Sequence, residues 1–190
     1  MAAVILDGQS QTGVSLMLLD EGMDTGPILA QSIPIDLSGR ERRSDLQALL
    51  FKEAESLLSG TLTELQRGTV TPVVQDNAAA SFTQLLRRSD GEIEWTASAM
   101  HIERMVRAYD IWPGTFTTWN GKNVKILDSK LMDGTETNPG QVTFRSGHLS
   151  VSTGAGLLEI IQLQLEGRQL ALAADFVRGH PQIDGSILGD

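Results

Sequence analysis

The sequence predicts an α/β part followed by a mainly β part. Short apolar runs and one long helical pattern occur before residue 70, whereas closely spaced β-type runs follow residue 114. The stretch between the two patterns has little periodicity and is typical of an extended connector. We therefore predict one domain at residues 1–72, a linker at residues 73–89 and a second domain at residues 90–190.

The first elements predicted are two strands separated by a loop. Residues 12–20 are a short, nearly continuous apolar run, which predicts a buried strand. Residues 28–35 predict a second strand, and Pro34 indicates that this strand ends there or lies at a sheet edge. Residues 20–27, between the strands, form a loop rich in acidic residues and glycine.

A long helix is predicted next. Ser44 with Gln47 three residues later matches a capping box, so we expect Ser44 to cap the helix. Leucine and alanine residues then recur at helical spacing, and Gly68 suits the position just after the helix C-terminus. Gly60 indicates a weak point or bend in its middle.

The second domain is predicted to begin with a helix and to continue as strands. The helix starts near Thr96, and its apolar face is formed by Ile102, Met105, Val106 and Tyr109. Asn120-Gly121 predicts a tight hairpin turn between two strands.

The predicted strands of this domain are short and closely spaced. They cover residues 115–119, 122–127, 140–144, 148–152 and 157–165, before a short helix at residues 171–178. Such a series predicts a small barrel, because closure leaves no exposed sheet edge.

Composition excludes several kinds of protein. The chain has no cysteine, so disulfide scaffolds, thiolate metal sites and cysteine nucleophiles are excluded. With 15 Lys+Arg against 24 Asp+Glu, the formal net charge is −9, which argues against broad nonspecific nucleic-acid binding. The N-terminus does not resemble a signal peptide, and no run approaches the roughly 18 apolar residues of a membrane span. We expect a soluble, cytoplasmic protein without membrane contact.

Asp24 is the first candidate for chemistry. A carboxylate in a glycine-bearing loop can transfer a proton when its neighbours hold it near the reacting atom. The alternative is a turn residue whose carboxylate accepts hydrogen bonds from nearby backbone N–H groups. The residues alone leave both interpretations open.

Basic, aromatic and histidine residues give weaker signals. Arg87-Arg88 in the connector, like Arg40, Arg42 and Arg43 before the long helix, are candidate phosphate contacts, with a solvated stretch as the alternative. Three tryptophans could stack on nucleobases but are better suited to anchor the second domain's core: Trp95, Trp112 and Trp119. His101, His148 and His180 are expected to be structural or exposed, and no metal site is predicted.

Several motifs occur in an order typical of one family. They are Gln11-Thr12-Gly13-Val14-Ser15, Asp20-Glu21-Gly22-Met23-Asp24-Thr25-Gly26-Pro27, Asp90-Gly91-Glu92-Ile93-Glu94-Trp95, Trp112-Pro113-Gly114, Leu163-Gln164-Leu165-Glu166-Gly167 and Asp175-Phe176-Val177-Arg178-Gly179-His180. Over nearly its whole length the chain therefore resembles the methionyl-tRNA formyltransferases. The earliest motifs are shared with other enzymes that use 10-formyltetrahydrofolate, whereas the ordered combination is specific.

The resemblance implies a fold and a reaction. The fold would be a partial Rossmann-like formyltransferase domain followed by a small open β-barrel of the OB-like type. The reaction would transfer a formyl group from 10-formyltetrahydrofolate to the amino group of methionine on initiator tRNA, in translation initiation.

The resemblance also implies site residues. Asp24 matches the family's catalytic aspartate, and the loop Glu21-Gly22-Met23-Asp24 matches the stretch whose backbone borders the pterin of the folate. Arg87 and Arg88 match a connector that is commonly basic and would meet acceptor-arm phosphates of the tRNA. No metal is implied.

The family's other two catalytic side chains, an asparagine and a histidine, precede the Gln11-Thr12-Gly13 motif. We therefore expect this chain to be a C-terminal portion that is inactive alone. Uncovered strand edges and apolar faces would then favour a homodimer. Two alternatives stay open: a non-catalytic tRNA-binding or assembly module, and a fragment of a sugar-nucleotide formyltransferase.

Overall fold

The structure, a computed structural model, describes residues 1–134 and 138–189. Residues 135–137 and 190, which fall within the predicted second domain, lie outside the described residues. The first part comprises α1 (Ala2–Leu6), β1 (Gln11–Thr12), β2 (Ser15–Met17), β3 (Ile28–Gln31), β4 (Ile35–Asp36) and α2 (Arg43–Gln66). The second part comprises α3 (Ala99–Ala108), β5 (Thr115–Trp119), β6 (Lys122–Met132), β7 (Val142–Arg145), β8 (His148–Ser152), β9 (Leu157–Leu165), β10 (Ala171–Leu172) and α4 (Ala173–Gly179). Short 3₁₀ turns occupy Asn77–Ala79, Arg88–Gly91 and Pro181–Ile183.

The strands of the first part form two short antiparallel pairs, β1 with β4 and β2 with β3. The buried strand predicted at residues 12–20 is wrong in extent and burial, because β2 covers only Ser15–Met17 and Leu19 is 91% exposed. The amide of Leu18 donates to the carbonyl of Pro27, which turns the chain into the loop instead of prolonging the strand. These pairs do not confirm a parallel Rossmann-like sheet.

The long helix is confirmed, but its predicted cap is wrong. Arg42, not Ser44, is the N-cap of α2, and its amide donates to Asp45 Oδ2 at 3.2 Å. The hydroxyl of Ser44 instead donates to Asp110 Oδ2 at 2.5 Å, across to the second part of the chain. A tertiary contact therefore takes the hydroxyl of Ser44, and the capping box forms two residues earlier, between Arg42 and Asp45.

The second part is built on one antiparallel sheet in the order β5-β6-β9-β8-β7, with β10 paired to β9. The predicted hairpin between β5 and β6 is confirmed. Its turn residues Asn120 and Gly121 have φ of 50° and 68°, the left-handed conformations that a two-residue type I′ turn requires.

The predicted closure of this sheet into a barrel is not confirmed, since the described strands form an open path from β5 to β7. Residues 185–189 nevertheless hydrogen-bond to both outer strands. Gly185 donates to the carbonyl of Val142 at 3.0 Å, and Gly189 donates to that of Thr118 at 3.0 Å. The C-terminal segment thus covers main-chain groups at both edges.

The main core lies between this sheet and helices α3 and α4. Trp95 and Trp119 are 5% and 4% exposed, as predicted for anchors, and the indole N–H of Trp95 donates to Thr117 Oγ1 at 3.0 Å. Trp112, also predicted as an anchor, is 48% exposed, so that prediction is wrong. His101 is exposed, as expected.

A smaller apolar cluster joins the two parts. Ile5 of α1 and Leu46 of α2 are buried with Met105, Ala108 and Tyr109 of the second part. Within residues 1–134 and 138–189, no helix combines the length and the apolar character needed to cross a membrane.

Arginines before and within the helices strengthen the same junction. Arg42 Nη2 lies 2.6 Å from Asp128 Oδ1, and its Nη1 donates to the carbonyl of Leu127 at 2.9 Å. Arg107 Nη1 donates to the carbonyl of Glu41 at 3.0 Å. Charge-assisted hydrogen bonds therefore connect the residues just before α2 to the large sheet and to α3.

Candidate functional site

The loop between β2 and β3 is ordered from within by an aspartate near its start. Asp20 accepts hydrogen bonds from the amide of Gly22 at 3.0 Å and from the hydroxyl of Thr25 at 2.8 Å. An aspartate carboxylate that accepts hydrogen bonds from nearby residues stabilises a turn much as a backbone hydrogen bond does. The loop therefore has a defined shape although it is exposed.

Gly26 fixes the other end of this loop. It is buried, and a Cβ at this position would lie 1.8 Å from the carbonyl oxygen of Leu18. The two backbone segments approach each other closely here because the amide of Leu18 donates a hydrogen bond to the carbonyl of Pro27. Glycine is therefore required here by space.

Asp24 lies at the exposed tip of the loop with a φ of 58°, in the left-handed region. Aspartate tolerates this conformation better than most residues do. Glu21, Gly22 and Met23, the other residues expected to border the folate, are exposed beside it, and Met23 is 87% exposed. The structure thus presents all four on one accessible loop.

Gln75 of the connector holds this loop from outside. Its Nε2 donates to the carbonyl of Asp24 at 2.9 Å and to that of Gly26 at 2.6 Å. Val73 and Ile28 exchange two main-chain hydrogen bonds of 2.8 Å, which bring the connector alongside β3. Sequence reasoning missed both Gln75 and Asp20. A signal for Asp20 was present, since Asp followed by Gly two residues later is typical of an Asx turn.

Arg87 and Arg88 are exposed at the end of the connector, and the structure does not join them to the Asp24 loop by any hydrogen bond or ion pair among the described residues. The amide of Arg87 donates to Asp90 Oδ2 at 2.7 Å and so orders the following 3₁₀ turn. Arg88 lines a surface depression of about 340 Å³ with residues of β6 and β9.

No group of three or more His, Asp or Glu residues is placed to hold a metal ion among residues 1–134 and 138–189. The candidate residues from the sequence lie in two separate places, on the exposed loop around Asp24 and at the end of the connector.

A family profile described as "Formyl transferase, C-terminal domain" matches residues 85–181, about half of the chain. The chain belongs to the formyl transferase family. Relatives extend this similarity across the chain. It is 42% identical over 192 residues to a "Methionyl-tRNA formyltransferase" of Roseiflexus sp. (strain RS-1), covering 100% of this chain and 59% of that protein. It is 40% identical over 194 residues to the protein of that name from Dehalococcoides mccartyi (strain CBDB1), covering 100% and 61%. This formyl transferase chain thus spans about three-fifths of these relatives' length.

Solved structures agree on the fold. HypX from Aquifex aeolicus in complex with tetrahydrofolic acid superposes with a TM-score of 0.68 at 18% identity, over 93% of this formyl transferase chain and 31% of that chain. The N-formyltransferase from Helicobacter canadensis, solved with folinic acid and dTDP-3-aminofucose, superposes with a TM-score of 0.65 at 19% identity, over 90% and 60%.

Proposed function

We propose that this chain is part of a methionyl-tRNA formyltransferase, which transfers a formyl group from 10-formyltetrahydrofolate to the amino group of methionine on initiator tRNA. The observation that carries the proposal is the identity of about 40% to proteins of that name along the whole chain. The exposed and hydrogen-bonded loop around Asp24 supports it, because such a loop can present a carboxylate to two substrates at once.

Asp24 is the proposed catalytic residue. Attack of an amine on a formyl carbon develops positive charge on nitrogen and negative charge on oxygen. The Asp24 carboxylate would accept the proton that leaves the amine. The bonds from Gln75 to the neighbouring carbonyls support this role, since they fix the backbone that carries the carboxylate.

Glu21, Gly22 and Met23 with Asp24 are proposed to border the folate. Their exposure leaves the main-chain groups of the loop accessible, and the hydrogen bond from the amide of Gly22 to Asp20 holds that residue in place. A loop of fixed shape loses little conformational freedom when a planar heterocycle binds beside it. No metal is required by this arrangement.

Arg87 and Arg88 are proposed to contact phosphates of the tRNA. Both are exposed at the end of the connector, and neither joins an ion pair within the described part of the chain. The net charge of −9 implies that such contacts are local and depend strongly on salt.

The domain division is also a proposal: a partial Rossmann-like domain at residues 1–72, a linker at 73–89 and an OB-like open barrel at 90–190. The main apolar cluster, whose buried members all lie within residues 93–188, and the hydrogen bonds of residues 185–189 to both outer strands support it. A cytoplasmic location follows from the proposed role in translation.

Self-association of the 190-residue chain is proposed as well. Large apolar side chains of the first part and connector are strongly exposed, among them Leu19, Ile33, Phe82 and Leu85 at 91%, 85%, 92% and 92%. Covering such a surface favours association. Sedimentation at high micromolar concentration should show a homodimer, and a clean monomer would contradict it.

Two other functions were open from the sequence. The alternative of sugar-nucleotide formyltransfer is supported by the similarity of this chain to the Helicobacter canadensis structure. An identity of 19%, however, supports only a shared fold. No specific observation supports the alternative of a non-catalytic binding module. The amino group of methionyl-tRNA is therefore the preferred acceptor.

The test is a chimera in which these 190 residues replace the matching part of the Roseiflexus sp. relative. With 10-formyltetrahydrofolate, it should formylate initiator methionyl-tRNA and not a dTDP-linked aminosugar. Asp24→Asn should lower kcat at least about 100-fold, the low end of general-base catalysis, whereas Asp7→Asn, a matched exposed change, should have little effect. Unchanged activity in the Asp24→Asn chimera would reject the proposed role.

A further inference from the structure

We propose that Asp20 and Thr25 are positioning residues for the carboxylate of Asp24, because they fasten the loop on both sides of it. The hydroxyl of Thr25 lies 2.8 Å from Asp20 Oδ1 and 3.0 Å from Asp20 Oδ2. The amide of Gly22 donates to the same Oδ1 at 3.0 Å. These three residues, here named the Asp20 clamp, enclose Asp24 in the chain. The inference rests on the proposed catalytic role of Asp24 and names the contacts on which that role depends.

The two aspartates of the loop differ in what their carboxylates contact. Both oxygens of Asp20 lie within hydrogen-bond distance of donors in the loop. Among residues 1–134 and 138–189, the carboxylate of Asp24 forms no hydrogen bond and no ion pair. A general base needs an oxygen that can reach the proton of the substrate, whereas a carboxylate occupied by local donors orders the backbone. The structure therefore assigns the positioning role to Asp20 and the reacting role to Asp24.

Asp24 depends on such support because its backbone conformation is unfavourable. Its φ of 58° lies in the left-handed region. A residue other than glycine costs free energy in this region and stays there only when the surrounding contacts hold it. If the bond from Thr25 to Asp20 is lost, Asp24 can return to a negative φ, and its carboxylate then points in another direction. The Asp20 clamp thus fixes the orientation of the reacting group.

Gly22 fits the clamp because it has no side chain. A Cβ at this position would lie 2.0 Å from the hydroxyl oxygen of Thr25, and 3.2 and 3.3 Å from its Cβ and Cγ2. The φ of Gly22 is outside the left-handed region, so space and not backbone conformation favours glycine here. Gly22→Ala would push the hydroxyl of Thr25 away from Asp20 and open the clamp without removing any of its polar groups.

The clamp is separate from the contact between the loop and the connector. Gln75 Nε2 donates to the carbonyls of Asp24 and Gly26 at 2.9 and 2.6 Å, and neither bond involves Asp20 or Thr25. Loss of the clamp therefore leaves the loop attached to the connector. We expect it to change the orientation and mobility of Asp24 and not the fold of the chain.

The first experiment measures steady-state formylation of methionyl-tRNA by the Roseiflexus chimera. Thr25→Val removes the hydroxyl at nearly constant volume and leaves the Gly22 bond. We therefore expect kcat to fall about tenfold while KM for the folate stays within about twofold. Thr25→Ser keeps the hydroxyl and should restore most of kcat, whereas Gly22→Ala should lower kcat as Thr25→Val does. Thr63→Val is the matched control, because Thr63 is an exposed residue of α2 whose hydroxyl donates to the carbonyl of Ser59 at 3.2 Å.

Substitutions of Asp20 separate positioning from an effect of charge. Asp20→Asn keeps an acceptor in the place of Oδ1, which receives both bonds, so kcat should stay within about threefold. Asp20→Ala removes both bonds and should lower kcat and also raise KM for the folate, because the amide of Gly22 loses its acceptor. The double variant Asp20→Ala/Thr25→Val should be no slower than Asp20→Ala, since both residues act through one bond. If Asp20→Asn is as slow as Asp20→Ala, the charge is what matters and the positioning role is overturned.

A second experiment tests the clamp without catalysis and keeps its failure distinguishable from failure of the proposed function. In ¹⁵N relaxation of the 190-residue chain, the order parameter of the Asp24 amide should fall from about 0.85 to below about 0.6 in Thr25→Val and stay high in Thr63→Val. If it falls but the unsubstituted chimera transfers no formyl group, the clamp stands and the proposed reaction is wrong. If the chimera formylates in an Asp24-dependent manner while Thr25→Val keeps full kcat, the reaction stands and the positioning role is overturned.

Discussion

Gln75 of the connector donates a hydrogen bond to the main-chain carbonyl of Asp24, with Nε2 and O 2.9 Å apart. The same Nε2 lies 2.6 Å from the carbonyl of Gly26 and 3.7 Å from the sulfur of Met17. One connector side chain therefore holds both the tip and the end of the candidate catalytic loop, and it links the position of the carboxylate to the path of the connector.

The first prediction concerns this link. Gln75→Ala removes the donor of two hydrogen bonds to loop carbonyls, and each such bond contributes about 0.5–1.5 kcal/mol to stability. In the chimera we expect kcat for formylation to fall about tenfold, since a looser loop places Asp24 less often in the reactive position. Steady-state kinetics would measure this, with Gln84→Ala as the control on an exposed connector glutamine. Equal kinetics of the two variants would contradict the prediction.

Elements with a local signal were predictable from the sequence. The hairpin at Asn120-Gly121 forms because two adjacent residues can adopt positive φ, and α3 forms on the face marked by Ile102 and Val106. The role of Gln75 had no such signal. Its partners lie about fifty residues away in sequence, and a single long-range side-chain contact produces no periodicity.

The second prediction compares two glycines. Gly26→Ala would place a Cβ 1.8 Å from the carbonyl oxygen of Leu18, so we expect a loss of about 1–3 kcal/mol in the free energy of unfolding. Gly60→Ala lies within α2 with nothing within 4 Å of its Cβ, so we expect a gain of up to about 1 kcal/mol. Urea unfolding measures both, and the same sign for the two variants would refute the steric argument.

The third prediction concerns the junction between the two parts. Arg42 bonds to Asp128 and to the carbonyl of Leu127, with the ion pair partly exposed at 31% and 39% of the two side chains. After allowance for solvent screening, Arg42→Ala should cost about 1 kcal/mol. Hydrogen exchange should increase at the start of α2. Arg40→Ala, on an exposed neighbour, is the control, and equal exchange in the two variants would count against this role.

This junction also shows why the cap of α2 could not be predicted. Capping rules consider only a residue and its neighbours in sequence, and Ser44 satisfied them. Its hydroxyl is taken instead by Asp110, 66 positions later. The prediction of burial from the sequence had a similar limit. The apolar run before Asp20 predicted a buried strand, yet burial depends on what packs over it, and Leu19 is 91% exposed in this chain.

The last prediction concerns a carboxylate in the middle of the sheet. Glu159 of β9 is 8% exposed in its side chain and accepts from His148 Nδ1 at 2.7 Å and from Lys130 Nζ at 3.2 Å. Burial by itself raises the pKa of Glu159, but the hydrogen bonds and charges of His148 and Lys130 together outweigh it. The pKa of Glu159 therefore lies below its ordinary value of 4.5.

The sign of the pH effect follows from that direction. The unfolded chain takes up the proton near pH 4.5, before the folded chain does. The stabilisation by Glu159 is thus complete above this pH and is lost as the pH falls through the lower folded-state pKa. Glu159→Gln should cost about 1–2 kcal/mol at pH 7. It should also flatten the decline of unfolding free energy below about pH 5, as urea titrations can show. Glu94→Gln, an exposed change in the same domain, should keep the steep decline, and an equally steep decline in Glu159→Gln would mean that another carboxylate governs the acid sensitivity.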